Sequence, residues 1–370
     1  MTKFTRRAFA AMTTGAAALA LSLGAVSAQN SDVGAAIEWA KTNLPASTPE
    51  IIRAAAEEGN LTLTLQRFGD DITTQAMIAK FNEHYPFIKV DYTMQNGSQI
   101  VKKFSAEQAS GKGITDYLQF PSDQIQLGKF IDDGAFGEFV ISDDSVFPDT
   151  AKQSGTWYPW LRQSNVTVYR VGALSDEEIE LVKSYKGLTD PRFKGRIGMI
   201  SGSTSNGRTG SYLLQYGDDP SLWDGLVANT PIVRPSSGPL LDGLMSGEFD
   251  VALMSGFPTA ALAAKQGAPL EFLITSPSPV LFAPGLISSI APHPNAAKLW
   301  ADWGMSQEGQ ALWVELVGVP SARDDVPKPW VYDQSWFFDD RSVNAPLDWK
   351  DYSEKEQKVL ETFQSQMQDG

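Results

Sequence analysis

Five short polar stretches in this chain each follow a run that reads as a β-strand, and all five lead into a helix-like segment. They are QRFGDD (66–71), NGSQ (96–99), SGSTSNGRTG (201–210), PSSGP (235–239) and SGFPT (255–259). Small residues and hydroxyls at such junctions suit ligand capture, because the first N–H groups of a helix lack intrahelical acceptors and point outward. Ser98, Ser203, Thr204, Ser205, Ser236, Ser237 and Ser255 can add hydroxyls there. Arg67 and Phe68 follow the first strand, and Arg208 lies in the longest stretch, so two cations stand where an anionic group would be held. Phe257 offers an apolar wall to a carbon-bearing ligand, with plain core packing as its alternative. Trp157, Tyr158 and Trp160, just before Arg162 in TWYPWLRQSN, either line a slot or pack between domains. Each stretch alone has a plainer reading, since Ser and Gly are ordinary cap and turn residues. Five together make a cleft.

Covalent and metal chemistry find little to work with. No Gly-x-Ser-x-Gly elbow occurs, and the two histidines are a poor basis for a triad. His84, near a helix end in FNEHYP, reads as a partner of the helix dipole, and His293 in APHPNAA as a turn residue. Cysteine is absent, as are an H-x-x-x-H pair and a calcium loop. The acid pairs Asp70-Asp71, Asp143-Asp144 and Asp339-Asp340 read as solvated loop residues. The expectation is a protein without catalysis, metal or cofactor.

The elements that must position these stretches alternate. Strand-like runs fall at 61–66, 88–94, 116–120, 164–171, 196–200, 231–235, 251–256, 270–275 and 285–290, with helix-like segments between most of them. Such alternation predicts a parallel sheet covered on both faces. In the helix TTQAMIAKFNEHYP, Ala76, Ile78, Ala79 and Phe81 are the expected inner face. A further helix is read over TGSYLLQYG, and another begins at Ser353. A length of 370 residues favours two domains. The expected class is α/β, two lobes each with a doubly wound, mostly parallel sheet, joined by two hinge crossings. Lobe one takes residues 59–160 and 281–370, lobe two 161–280, and residues 29–58 form helices ahead of both.

Charge and the first residues bound the setting. A formal charge of −14 argues against nucleic acid or an anionic membrane as partner. Residues 1–28 carry Lys3, Arg6 and Arg7, a modest apolar stretch and small residues ending at Ala28. That is the layout of a cleaved export signal, and Arg6-Arg7 is similar to the twin-arginine type. Its removal would take the charge from −14 to −17, since it holds three bases and no acid.

Several segments resemble bacterial solute-binding proteins of ABC importers, the extracellular family-1 group that includes the ferric-ion-binding proteins. They are YKGLTDPRFKGRIGMISGS (185–203), LMSGEFDVALMSG (244–256), IAPHPNAAKLWADWGMSQEGQALW (290–313) and GVPSARDDV (318–326). The likeness spans roughly 55–330. It implies a periplasmic monomer with a small-molecule ligand in the interlobe cleft, closing on binding and docking on an ABC permease. Ferric-binding members carry adjacent tyrosines after the strand corresponding to VALMSG, where this chain has Gly256-Phe257-Pro258. Gln163 and Asn165 stand where many relatives place arginines. The resemblance so amended implies a small polar or anionic organic solute. A ferric binder using other oxygen ligands, a solute sensor for a membrane receptor and an exported enzyme are the alternatives.

Overall fold

The computed structural model describes residues 30–66, 71–121, 124–147, 149, 152–200, 219–275, 278–318, 320–323, 325–327, 342–344, 361 and 365. Helix α1 (30–43) leads to α2 (Pro49–Glu58). Thr48 caps α2 by accepting the Ile51 N–H, and Gly59 ends it at φ 66°, a left-handed value that glycine takes without strain. Then β1 (Asn60–Gln66), α3 (Asp71–His84), β2 (Lys89–Gln95), α4 (Gly97–Ser110), β3 (Tyr117–Gln119) and α5 (Gln124–Asp132) alternate. β1 pairs in parallel with both β2 and β3. Helices cover both faces, because successive strand residues point to opposite sides. Lys103 of α4 reaches Thr64 at 2.8 Å, while Thr74 of α3 reaches Met94, the partner of Leu65, at 3.3 Å.

A second set follows the long strand β4 (Trp157–Arg170). It holds α6 (Asp176–Val182), β5 (Ile197–Ile200), α7 (Pro220–Ala228), β6 (Ile232–Arg234), α8 (Ser237–Ser246), β7 (Val251–Gly256), α9 (Phe257–Lys265) and β8 (Leu270–Leu273). β5 pairs in parallel with β6 and β7. The chain returns through β9 (Ser278–Ile287), α10 (Pro294–Met305) and α11 (Gln307–Val317). A short β10 (Ser342–Asn344) adds in parallel to β9 at Ser278–Val280. The strand order is β2-β1-β3-β9-β4-β7-β5-β6, with β8 beside β4 and β10 beside β9.

β4 divides this order into two sheets. Its first half pairs with β9 from Trp157 to Ser164, and its second half with β7 and β8 from Asn165 to Arg170. Each sheet has its own core. Residues from Ala36 to Trp160 and Phe282 to Ala322 make one buried cluster, and residues from Val166 to Phe272 make two more. The α/β two-lobed class is therefore as expected.

Several local readings are corrected. β4 begins at Trp157, not 164, and β9 at Ser278, not 285, because the Trp-, Tyr- and Pro-rich segments extend the strands. β10, α5, α6 and α7 were not expected. α3 buries Thr73, Thr74, Met77 and Phe81, and its Ala79 is exposed, so the inner face is rotated from the one the apolar residues suggest. Residues 1–28, TGSYLLQYG and Ser353 lie outside the described residues, although Glu361 and Ser365 are helical.

Tryptophans dominate the first core. Trp160 stacks on Trp300 with centroids 6.1 Å apart, and meets Trp313 at 5.6 Å and Tyr117 at 6.0 Å. Close approach is possible because α10 presents Gly304: a Cβ there would lie 2.4 Å from the Trp160 ring. Helix α10 begins at a carboxylate. Glu58 accepts from the Asn295 and Ala296 N–H groups at 3.1 and 2.8 Å, a favourable charge at a helix N-terminus worth about 0.3–1 kcal/mol.

Candidate functional site

The two parallel sets aim their carboxyl ends at each other. β3 is antiparallel to β9, and β9 is antiparallel to β4, so β1–β3 and β4 run in the same direction. β7 runs against β4, and β5 and β6 run with β7. Following the register across, Gln119 lies level with Gly285 and Tyr158, whereas Gly256 lies level with Asn165. The gap between those levels, about seven strand residues, is about 20 Å at ~3.3 Å per residue. The described segments that leave β2, β3, β6 and β7 start at the edges of that gap. β10 lies beside it too, paired to the part of β9 that faces Ser164.

On the lobe-two side the corner after β7 is well defined. Gly256 occupies the N-cap of α9 with no side-chain cap, and its N–H donates to Ser237 Oγ at 3.0 Å. Ser255 is wholly buried, and its Oγ has no hydrogen-bond partner. β7 bulges just before it, since Val168 and Val166 of β4 face Ala252 and Ser255. Bulges of this kind re-aim side chains and gather beside ligand sites. Ser236 caps α8 without a side-chain hydrogen bond and is exposed.

On the lobe-one side α4 starts beyond β2. Asn96 caps it and forms a capping box with Gln99, at 3.0 and 3.2 Å, which leaves Ser98 exposed in the first turn. Gln66 and Gln95, the last residues of β1 and β2, are in register, and each has a buried Oε1 without a partner. Nothing in the residue pattern singles them out. Glutamine at a strand end is ordinary, and only the fold shows its oxygen left over.

The other expected site residues divide. Arg67, Phe68, Ser203, Thr204, Ser205 and Arg208 lie outside the described residues. Phe257 is fully buried in the second lobe, its ring 5.7 Å from that of Phe272 at 79°. Trp157 and Trp160 are also buried, within the first lobe's core, and Trp160 occupies a bulge opposite β9.

The remaining polar clusters are structural ties. His84 is not simply a dipole partner: its Nε2 meets Glu308 at 2.8 Å, and Trp39 stacks on its ring at 3.6 Å, pinning α1 to α3 and α11. His293, expected as a turn residue, also bonds the buried Asp116 through Nδ1 at 2.9 Å. Asp143 and Asp144 are not merely solvated. Asp143 pairs with buried Arg323 at 2.6 Å, and Asp144 accepts from Lys152, Ser154 and Tyr158, each at 2.8 Å. Burial and the Asp144 bond push the Tyr158 phenol up to about 12. A cavity of about 480 Å3 lies against Ser47, Phe139, Lys298 and Asp302. None of its lining residues belongs to the five polar stretches. Among the described residues no group of three His, Cys, Asp or Glu side chains could hold a metal ion, and no helix is long and apolar enough to cross a membrane.

This architecture is shared with known structures. The substrate-binding protein of an ABC transporter from Agrobacterium tumefaciens superposes with a TM-score of 0.71 at 18% identity, covering 84% of this chain and 94% of that one. The ferric binding protein of Campylobacter jejuni gives 0.67 at 18% identity, covering 83% and 99%. Iron-bound HitA from Pseudomonas aeruginosa gives 0.66 at 17%, covering 81% and 99%. These likenesses establish the fold. Comparison with curated proteins finds no sequence match. The family model for bacterial extracellular solute-binding proteins matches residues 76–338, which takes in β2 to β9. The chain belongs to the bacterial extracellular solute-binding protein family.

Proposed function

We propose that the protein captures a small polar or anionic organic solute between its lobes and hands it to an ABC permease, without catalysis. The observation that carries this reading is the facing of two sets of strand carboxyl ends across the middle of β4, where α/β sheets hold ligands. Ser255 supports it with a buried hydroxyl that has no partner in the protein. Likeness to the Agrobacterium transporter component supports the transport role. On this reading lobe one comprises 59–160 and 281–370, lobe two comprises 161–280, and the strand crossings bend as the lobes close. Closure follows from the solute's greater affinity for the closed form. The protein works as a periplasmic monomer once the twin-arginine signal over 1–28 is removed.

Ferric binding is the second reading, favoured by likeness to iron-bound HitA and the Campylobacter protein. Against it, Phe257 stands where the family's phenolate would be and packs inward on Phe272. Native mass spectrometry of protein purified from the periplasm, with no ligand added, separates the two. A co-purified organic mass supports solute capture, and bound iron would replace it with the ferric reading. Neither, together with unaltered solute uptake in a deletion strain, would count against transport altogether and favour a sensor.

A further inference from the structure

We propose that Gln66 and Gln95 form a paired carboxamide subsite for adjacent hydroxyl groups, so that the captured solute is polyhydroxylated. This rests on the solute-capture reading and narrows it. The two residues are register partners at the carboxyl ends of neighbouring parallel strands, so their side chains leave the same face of the sheet about 4.8 Å apart. Each Oε1 is buried and without a hydrogen-bond partner. Leaving such an oxygen unpaired costs a fold about 1–3 kcal/mol, and two in register at one strand end call for a partner from outside the chain.

On the same face one step down β1, Thr64 has its partners. Thr64 bonds Thr115 at 2.8 Å and accepts from Lys103 at 2.8 Å, and Lys103 goes on to Glu107 at 3.0 Å. Helix α4 therefore supplies a partner to the polar row at Thr64, whereas the row's last oxygens, on Gln66 and Gln95, have none. That end of the row faces the second lobe.

The chemistry of the carboxamide selects the solute. It presents one acceptor oxygen and two N–H donors. A carboxylate or phosphate has no donor for the two oxygens. An ammonium would satisfy the oxygens but give the N–H groups nothing to bond. A hydroxyl does both, and two adjacent hydroxyls match two carboxamides one strand spacing apart. Exchanging the amide oxygen and nitrogen leaves the match intact, because a hydroxyl serves either.

Thermal shift and titration calorimetry of the mature protein with D-mannitol, D-gluconate, citrate, spermidine and ferric nitrilotriacetate test this, with mass spectrometry of co-purified small molecules on the same sample. Mannitol, gluconate or a co-purified polyhydroxylated mass is expected to bind. Gln66→Leu and Gln95→Leu should each weaken that binding about tenfold. They should leave the unliganded Tm unchanged or raised, since each removes an unpaired polar group. Unchanged affinity with a lowered Tm would make the pair structural and overturn the assignment. Binding only of citrate, spermidine, the ferric probe or a mass without hydroxyls would overturn it while leaving solute capture standing. No binding of any probe and no co-purified mass would remove both.

Discussion

The Gly256 N–H donates to Ser237 Oγ at 3.0 Å, so the turn that opens α8 and the corner that opens α9 are one unit. Ser237 is itself buried. Two helix N-termini of the second lobe are thereby held in fixed relation beside the unpartnered Ser255.

Replacing Ser237 with Ala removes that tie and leaves a half-buried N–H without its acceptor. The expected loss is about 1–2 kcal/mol of stability, seen as a lower midpoint in urea unfolding. Solute affinity should fall as well, because the α9 corner loosens. A midpoint equal to wild type would show that the bond contributes nothing.

Phe257→Tyr tests what the corner can hold. The ring is fully buried against Phe272, so an added hydroxyl enters an apolar cluster. The expected outcome is a loss of about 1–3 kcal/mol and no gain of ferric binding. A visible charge-transfer band on adding ferric nitrilotriacetate would mean that the ring can turn outward.

Gly304→Ala sets helix propensity against packing. Alanine in a helix gains about 0.8–1.0 kcal/mol over glycine, but its Cβ would lie 2.4 Å from the Trp160 ring. Overpacking costs about 1–3 kcal/mol, so the clash wins and the variant is less stable. Tryptophan fluorescence should shift too, because Trp160 and Trp300 must part. A variant with raised Tm and an unaltered emission spectrum would contradict this.

Asp302 gives a pH dependence with a definite sign. Burial raises its pKa, against bonds from Ser142 N, Ser47 Oγ and Ser142 Oγ at 2.6, 2.7 and 2.9 Å. The folded state therefore holds this proton to higher pH than the unfolded chain. Stability from this group is greatest below the unfolded pKa and is lost as pH rises through the folded one. Asp302→Asn cannot titrate, so its Tm relative to wild type should rise from pH 4 to pH 7. A difference that stays flat, or falls, would show that the folded state does not raise the Asp302 pKa.

The alternation of strands and helices was legible in the sequence because the apolar runs are short and punctuated by glycine and proline. Helix α7 was missed although Asp219 caps it and Pro220 opens it, a recognisable start signal. β4 was read too short for a physical reason. Pro159 argues against a central strand, and the fold accommodates it by placing the extra residue, Trp160, in a bulge beside it. The polar stretches after β2, β6 and β7 were visible as loops, but not which side chains in them were spent. Ser98 is exposed in a helix whose cap is supplied by Asn96, Ser237 is bonded, and Ser255 is spare. Trp157 and Trp160 read equally well as slot or interdomain packing, and their burial in the first core, with Trp160 against Trp300, decides for core.

The return of β9 sets an order of assembly. β9 lies between β3 and β4 in the first sheet, yet some 160 residues separate it from β3 in the chain. During synthesis β1, β2 and β3 emerge first but cannot find their inner neighbour. The second lobe, contiguous from β5 to β8, can complete its own sheet with β4 before then. A ribosome-bound chain ending before residue 278 would therefore hold a finished second lobe beside an open first one, and the N-terminal half of the protein would be the last to become resistant to proteolysis.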